Sequence, residues 1–178
     1  MLSRALIGAV CAAASIATPA MAWADPEPTP APVPPPNVNS FAMAKPADYI
    51  VNDGIYGFTS PSGLTCIISR GTGYYGCSGP MPGAPGGANV VTGGPSGEPG
   101  FSTSDAPLYP FTTPPKPLPA NTRLSYSTVS CGVDGGGGVV CSNSFDQTGF
   151  VAGPGGSFSF GAVNPLLDRP DGTNPFMN

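Results

Sequence analysis

The sequence predicts a mainly β protein, a small disulfide-stapled antiparallel sheet or sandwich built from β-hairpins, with long Pro/Gly-rich loops and little helix. Two pairs of cysteines, Cys66 with Cys77 and Cys131 with Cys141, flank short segments that contain glycine. Apolar residues recur with period two around both pairs, as they do in half-buried strands. The 26 glycines and 25 prolines approach the low-complexity range, so two disulfides would offset the disorder that this composition allows.

Residues 1–24 are predicted to be a secretory signal peptide. Arg4 supplies the positive charge, and the apolar run at 5–17 that follows it is too short for a stop-transfer helix. Small residues place the cleavage site after Ala22 or Ala24, and we prefer Ala24. The sequence therefore predicts a secreted or cell-envelope protein, in a compartment where disulfides form and persist.

The mature chain is expected to be acidic and to hold an even number of cysteines. Cys11 lies inside the apolar run of the signal and follows Val10, which is not the setting of a lipoprotein cysteine. The whole chain has a net charge of −4, and removal of a signal with one arginine and no acid leaves about −5. This charge argues against nucleic acid or an anionic membrane as partners. No apolar run after Ala24 is long enough to cross a bilayer.

Residues 25–40 are predicted to be a proline-rich disordered spacer, and 41–178 a single β-rich domain with its core at about 55–162. Alternating prolines and the triple proline at 34–36 favour the polyproline II conformation. Two interpretations stay open for this spacer. It is either a stalk that holds the domain away from a wall or simply a disordered mature N-terminus.

The first hairpin is centred on the pairing of Cys66 with Cys77. In that antiparallel register Gly71 and Thr72 form a two-residue loop, and a glycine in its first position is typical of a type II′ turn. Ile67 is an apolar exception on the outer face. Alternate residues share the other face, which we predict to be the core face: Leu64, Cys66, Ile68, Tyr75 and Cys77.

The second hairpin follows from pairing Cys131 with Cys141 in the same way. Val133 then faces Val139, and the glycines at 135–137 form a three-residue loop with one left-handed glycine and a bulge. Four cysteines allow three pairings, and free or metal-binding thiols are a further alternative. We prefer the local pairing because it explains the glycines, and the chain has no histidine to join a metal site.

Proline dominates the two segments at 79–100 and 105–120. The first contains a short strand candidate at 88–91. Proline has no N–H to donate to a neighbouring strand, so we expect neither segment to supply an inner strand of a sheet. They are predicted to wrap the domain as long loops.

The remaining elements are short. Pro46 is placed to open a single helical turn, which the turn at 52–54 ends. The alternation at 121–126 predicts a strand that leads into the second hairpin, and 149–160 predicts a strand, a turn and a second strand. Residues 164–167 carry the signals of one further helical turn. The chain should therefore hold about six short strands in one domain.

A fixed order of motifs runs from residue 58 to residue 160. It consists of Phe58-x-Ser60-Pro61-Ser62-Gly63-x-x-Cys66, Tyr75-Gly76-Cys77, Leu118-Pro119, Cys131, Val139-Val140-Cys141-Ser142-Asn143-Ser144 and Gly149-Phe150. This order resembles a family of small exported actinobacterial proteins, mycobacterial in type, whose function is uncharacterised. Members often carry asparagine after the Pro-Ser-Gly motif, where this chain has Leu64. The resemblance implies export and disulfide bonds, and it supplies no catalytic residue.

The composition limits the chemistry that the chain can perform. Without histidine, the usual serine and cysteine triads and the histidine-based metal sites are excluded, and we predict no cofactor and no metal site. The glycine run at 135–138 lacks the lysine and the serine or threonine of a phosphate-binding loop. These exclusions favour a secreted, non-enzymatic binding module of the cell envelope, with a protein or a cell-wall glycan as its partner.

Three functional hypotheses remain open. A binding module would use its sheet and long loops, and an outward tyrosine such as Tyr74 would stack on sugar. The alternative is a carboxylate-dependent hydrolase of cell-wall glycan. The third is a protease inhibitor that presents the loop at 78–85. The carboxylate pairs available to the hydrolase are Asp48 with Asp53 and Asp168 with Asp171, although aspartate beside proline or glycine commonly supports turns.

Overall fold

The computed structural model describes residues 34–161, and these form two β-sheets packed face to face. The mainly β, disulfide-stapled fold class is therefore confirmed. The signal segment at 1–24 and the helical turn at 164–167 lie outside the described residues. Within 34–161 there are thirteen strands, more than the six expected, because strands of two or three residues are too short to show period two.

Six strands form the first sheet, and strands are numbered in chain order. In spatial order they are β1 (Ala42–Met43), β9 (Thr122–Tyr126), β10 (Val129–Val133), β11 (Val139–Asn143), β12 (Thr148–Ala152) and β13 (Phe158–Phe160). Neighbours are antiparallel except for β1 and β9, which pair in parallel over two residues. The strands predicted at 121–126 and 149–160 are β9, β12 and β13.

Seven strands form the second sheet. In spatial order they are β2 (Ile50–Asn52), β3 (Ile55–Thr59), β4 (Thr65–Ser69), β5 (Tyr75–Ser78), β6 (Val90–Gly93) and β7 (Gly100–Ser102), with β8 (Lys116–Pro117) joined in parallel to β3. The expectation that 79–100 supplies no inner strand is wrong, because β6 pairs with both β5 and β7. The prolines of this segment flank β6 and leave its N–H groups free to pair.

Three 3₁₀ helices occur within residues 34–161: Val38–Ser40, Pro46–Tyr49 and Pro85–Gly87. The second confirms the helical turn predicted to open at Pro46. The first corrects the boundary of the spacer, which was placed at residue 40. Val38 is buried against Val140 and Val151, so the ordered fold begins before residue 41.

Both local disulfides are confirmed. Cys66 faces Cys77 on β4 and β5 with an S–S distance of 2.06 Å, and Cys131 faces Cys141 on β10 and β11 at 2.05 Å. The loop of the second hairpin also follows the prediction. The Asp134 N–H donates to the Gly138 carbonyl, and Gly137 has φ of +82°.

The turn predicted for the first hairpin is wrong. Instead of two residues, four residues form the loop, 70–73, and the Ser69 N–H donates to the Tyr74 carbonyl at 2.7 Å. Gly73, at the end of the loop, has φ of +72°, whereas Gly71 lies outside the positive-φ region. The Ser69 side chain explains the difference, since its oxygen accepts hydrogen bonds from the N–H and hydroxyl of Thr72.

The core lies between the sheets and is built from two rows of directly opposed residues. One row crosses the second sheet as Phe58, Cys66, Cys77 and Val91, and the other crosses the first sheet as Leu124, Cys131, Cys141 and Phe150. All eight side chains are fully buried. Tyr75 of one sheet stacks on Phe150 of the other, with ring centroids 5.9 Å apart and planes 9° from parallel. The predicted core face of the first hairpin is entirely buried.

The outer face of the second sheet is also covered, which accounts for Ile67. Ile67 packs with Val51 and Ile55 beneath a proline-rich segment that contributes Leu108, Tyr109 and Phe111. Asn52 anchors this segment, because its side chain donates to the Pro110 carbonyl at 3.1 Å and accepts from the Thr112 N–H at 2.8 Å. The segment at 105–120 thus wraps the sheet, as predicted for it.

Candidate functional site

Five loops meet at one end of the sandwich, and we call this surface the turn end. They are the loops at 53–54, 70–74, 94–99, 127–128 and 144–147, which join β2 to β3, β4 to β5, β6 to β7, β9 to β10 and β11 to β12. Antiparallel strands run alternately up and down, so every second connection in a sheet lies at the same end of its strands. The turn end is therefore built from both sheets.

Asn143 ties the two sheets together at the turn end. Its side chain is fully buried at the end of β11, and its amide donates to the carbonyls of Gly94 at 3.3 Å and Pro95 at 2.9 Å. Its carbonyl oxygen accepts from the Phe145 N–H at 3.1 Å. One side chain thus holds the loops at 94–99 and 144–147 in a fixed relation.

Asp146 makes a second connection between the same loops. Its carboxylate accepts hydrogen bonds from the Gly97 N–H at 2.6 Å and from the Thr148 hydroxyl at 2.7 Å. Partial burial works against ionisation, but these hydrogen bonds outweigh it and lower the pKa of Asp146 below its usual value. The carboxylate is accordingly charged at neutral pH and serves the loop rather than a ligand.

Tyr75 lies beneath the turn end, close to Asp146. Burial raises the pKa of Tyr75, and the nearby carboxylate adds to that effect. Its side chain is almost completely buried against Phe150, so it stays protonated at neutral pH and belongs to the core.

Three aromatic side chains at the turn end are open to solvent. Tyr74 is 57% exposed, Phe145 is 72% exposed and Tyr126 is 39% exposed. They project from three different loop regions, two of which are joined directly: the Ser144 N–H donates to the Thr128 carbonyl at 2.8 Å. Exposed aromatic side chains are frequent in surfaces that contact partners or ligands, which makes the turn end the candidate site.

A cleft of about 310 Å³ opens beside Tyr126, and we call it the Arg70 cleft. Its lining comes from both sheets and includes Arg70, Thr72, Pro95, Tyr126, Ser127 and Thr128. A cationic group, several hydroxyl groups and a tyrosine ring thus converge on one space. That combination is suited to a ligand that has both hydrogen-bonding groups and an apolar face.

The Arg70 side chain is held at the rim by aromatic contacts rather than by a strong ion pair. Its guanidinium carbon lies 5.3 Å from the centre of the Tyr56 ring, and Tyr56 meets Tyr126 edge to face at 6.1 Å. The Arg70 Nη2 lies 3.8 Å from Asp53, whose carboxylate is fully exposed, so this ion pair is weak. The Arg70 Nε is buried and has no hydrogen-bond partner within residues 34–161.

The structure places the sequence-predicted residues in different parts of the fold. The four cysteines lie in the core, far from solvent, and Tyr74 lies at the turn end as an exposed side chain. Asp48 lines a shallow cleft of about 200 Å³ with Thr113 and Lys116, and Asp53 is not part of it.

The hydrolase and inhibitor hypotheses receive no support from this placement. Asp53 does not line the cleft that Asp48 lines, and the second pair, Asp168 with Asp171, lies outside the described residues. Within residues 34–161 no group of three or more acidic, cysteine or histidine side chains is placed to hold a metal ion. In the loop at 78–85, Met81 is buried in the core, so this apolar side chain is not offered to a protease.

The residues that sequence reasoning missed are Arg70 and Tyr126. Arg70 lies in the first hairpin and Tyr126 at the end of a strand, and neither position carries a functional signal of its own. Fifty-six residues separate them, and nothing local indicates that the two hairpins meet. An arginine placed directly before a turn and followed by two tyrosines was the single local signal available.

A second cleft of about 360 Å³ lies where the segment at 35–39 crosses β11 and β12. Asn37 and Asn143 line it, and both already serve the fold. The Asn37 side-chain oxygen accepts a hydrogen bond from the Asn39 N–H, and Asn143 holds the loop at 94–99. We therefore assign the candidate site to the turn end and the Arg70 cleft.

The fold and the site together define a class: a small two-sheet β protein with a disulfide in each sheet, as is typical of exported proteins, and with an aromatic surface at one end. Comparison of the chain with protein-family models, with curated proteins and with solved structures gave no match. Across residues 34–161, no helix has the length and apolar character needed to cross a membrane.

Proposed function

We propose that this protein is an exported, non-enzymatic binding module of the cell envelope, of the actinobacterial type that its motifs resemble, and that it binds cell-wall glycan through the turn end. The observation that carries the proposal is the exposure of three aromatic rings on loops of the turn end, one of which, Tyr126, lines a cleft together with hydroxyl groups. Sugar rings present apolar C–H faces and polar edges. Tyrosine rings and hydroxyl groups complement these two surfaces.

The way in which the loops are held supports binding. Asn143 and Asp146 fix the loops at 94–99 and 144–147 through buried or short hydrogen bonds, and the disulfides brace the strands beneath them. A surface that is already ordered loses little conformational entropy when a ligand binds. Tyrosine and phenylalanine add to this, since each has only two side-chain torsions to restrict.

The test is a binding assay of the exported chain on insoluble cell-wall glycan, with the aromatic residues replaced one at a time. We expect Tyr74→Ala, Tyr126→Ala and Phe145→Ala each to weaken binding by about three- to tenfold, since the loss of one stacking ring costs roughly 0.5–1.5 kcal/mol. Phe158→Ala is the matched control, because Phe158 is 40% exposed but lies on β13 away from the turn end.

Two results would contradict the proposal. The first is a failure of the folded chain to bind any glycan fraction. The second is unchanged binding after replacement of all three aromatic residues, provided that circular dichroism shows the variants to be folded. Release of new reducing ends from the glycan would instead favour the hydrolase.

A further inference from the structure

We infer that the Arg70 cleft makes the module selective for sugars that carry a carboxylate. This inference rests on the proposed function and concerns the same surface, and it goes further by naming the chemical class of the ligand. The structural feature behind it is a guanidinium that lines the cleft without a strong partner of its own.

The formal charge of the cleft is positive. Of the described residues that line it, Arg70 alone is charged, and the polar ones, Thr72, Ser127 and Thr128, carry neutral hydroxyls. The Thr72 hydroxyl already donates to Ser69, so a neutral sugar would use the Ser127 and Thr128 hydroxyls and the Tyr126 ring. A charged arginine at the rim adds a positive charge with N–H donors, which an anionic group complements best.

The present contacts of Arg70 leave its charge poorly neutralised. Asp53 lies at 3.8 Å and is fully exposed, so water and salt screen this pair. The ring of Tyr56 lies 5.3 Å from the guanidinium carbon, and a cation–π contact of this kind leaves the positive charge unneutralised. The Nε has no acceptor within residues 34–161, but it is buried, so a ligand in the cleft would meet the terminal nitrogens of the guanidinium.

A carboxylate complements this arrangement better than other groups do. Its two oxygens match the planar donor edge of a guanidinium, and charge-assisted hydrogen bonds are stronger than neutral ones. Tyr126 lies in the same cleft and is partly open, so one sugar unit can stack on the ring while its carboxylate meets Arg70. The chain as a whole is acidic, so any preference for anions must come from this local site.

The test compares trigalacturonic acid with its methyl ester, in which each carboxylate is replaced by an uncharged group that carries an added methyl. Titration of the exported chain at low salt, followed by nuclear magnetic resonance, should show at least about fivefold tighter binding of the acid. The amides that shift should include Thr72, Ser127 and Thr128. In Arg70→Gln the preference for the acid should disappear, and the ester should bind as before.

Asp53→Asn provides a second variant that keeps Arg70 and alters only an exposed side chain. It removes the competing carboxylate, so we expect binding of the acid to tighten by about twofold with no change for the ester. This variant decides the matter if Arg70→Gln fails to fold.

The outcomes separate this inference from the proposed function. Equal affinity for acid and ester, with both weakened by Tyr126→Ala, would overturn the charge selectivity and leave glycan binding intact. Binding of neither ligand, together with no binding to cell-wall glycan, would overturn both. Shifts confined to residues away from the Arg70 cleft would also overturn the inference.

Discussion

Asn143 is the residue on which the candidate site depends most, although it is fully buried. It lies at the end of β11, where a polar residue would ordinarily face solvent, and the loop at 94–99 covers it. Its amide satisfies two carbonyls and one N–H of loop backbone that would otherwise be buried without partners. Unsatisfied buried polar groups are costly, so this single side chain fixes where two loops lie.

We expect Asn143→Ala to lower the free energy of unfolding by about 2–4 kcal/mol, because three hydrogen bonds are lost and their backbone partners stay buried. Urea denaturation of the oxidised protein measures this. Asn39→Ala is the control, since Asn39 is exposed and lies on the surface of the first 3₁₀ helix, and it should stay within about 0.5 kcal/mol. Equal losses in the two variants would contradict the role given to Asn143.

The two cysteine hairpins show how far local reasoning reaches at the level of elements. The same register argument predicted both pairings, and the three-residue loop after Val133 also formed as expected. It failed for the loop after Ser69, because it considered the glycines and overlooked a serine that bonds to Thr72. A glycine marks a reversal reliably, but side-chain hydrogen bonds decide how many residues the reversal contains.

Substitution of Gly71 and Gly73 distinguishes the two-residue loop from the four-residue loop by experiment. Gly73→Ala should cost about 1–2 kcal/mol of stability, because φ is +72° there and the new Cβ would lie 3.3 Å from Pro95 Cβ. Gly71→Ala should be neutral or slightly stabilising, since its φ is not positive and the space around it is open. Thermal denaturation distinguishes them. The reverse order of effects would mean that the two-residue turn is correct after all.

Other elements escaped prediction for physical reasons of the same kind. The strand candidate at 88–91 overlaps β6, but the surrounding prolines argue against an inner position, although the strand itself contains none. Ile67 looked like an exception on an outer face until the segment with Leu108 and Phe111 was seen to cover it. In both cases, long-range contacts decided what the local pattern left open.

At the scale of the whole molecule, two sheets share one core while each keeps its own disulfide. Local patterns in the sequence predict each hairpin but not the contact between the two sheets. The stacking of Tyr75 on Phe150 and the shared cleft of Arg70 and Tyr126 both depend on that contact. The candidate site is a product of that contact. It requires both sheets to stay folded together, which makes the cooperativity of folding a functional property.

This coupling predicts the result of removing one disulfide. Replacing Cys131 and Cys141 by alanine should lower the free energy of unfolding by about 2.8 kcal/mol on the chain-entropy model. The free energy of unfolding of a native protein is typically about 5–15 kcal/mol. Because Tyr75 and Phe150 join the sheets in one core, we expect the amides of β4 and β5 to lose protection from hydrogen exchange by the same factor as those of β10 and β11, about 100-fold.

The reciprocal variant, with Cys66 and Cys77 replaced by alanine, is the matched control, since its disulfide closes a loop of nearly the same length. It should lower protection in β10 and β11 as strongly as in its own sheet. If each variant instead loosened only the sheet that lost its disulfide, the two sheets would unfold independently. A surface assembled from both, such as the Arg70 cleft, would then be present only while two separate units happened to be folded at once.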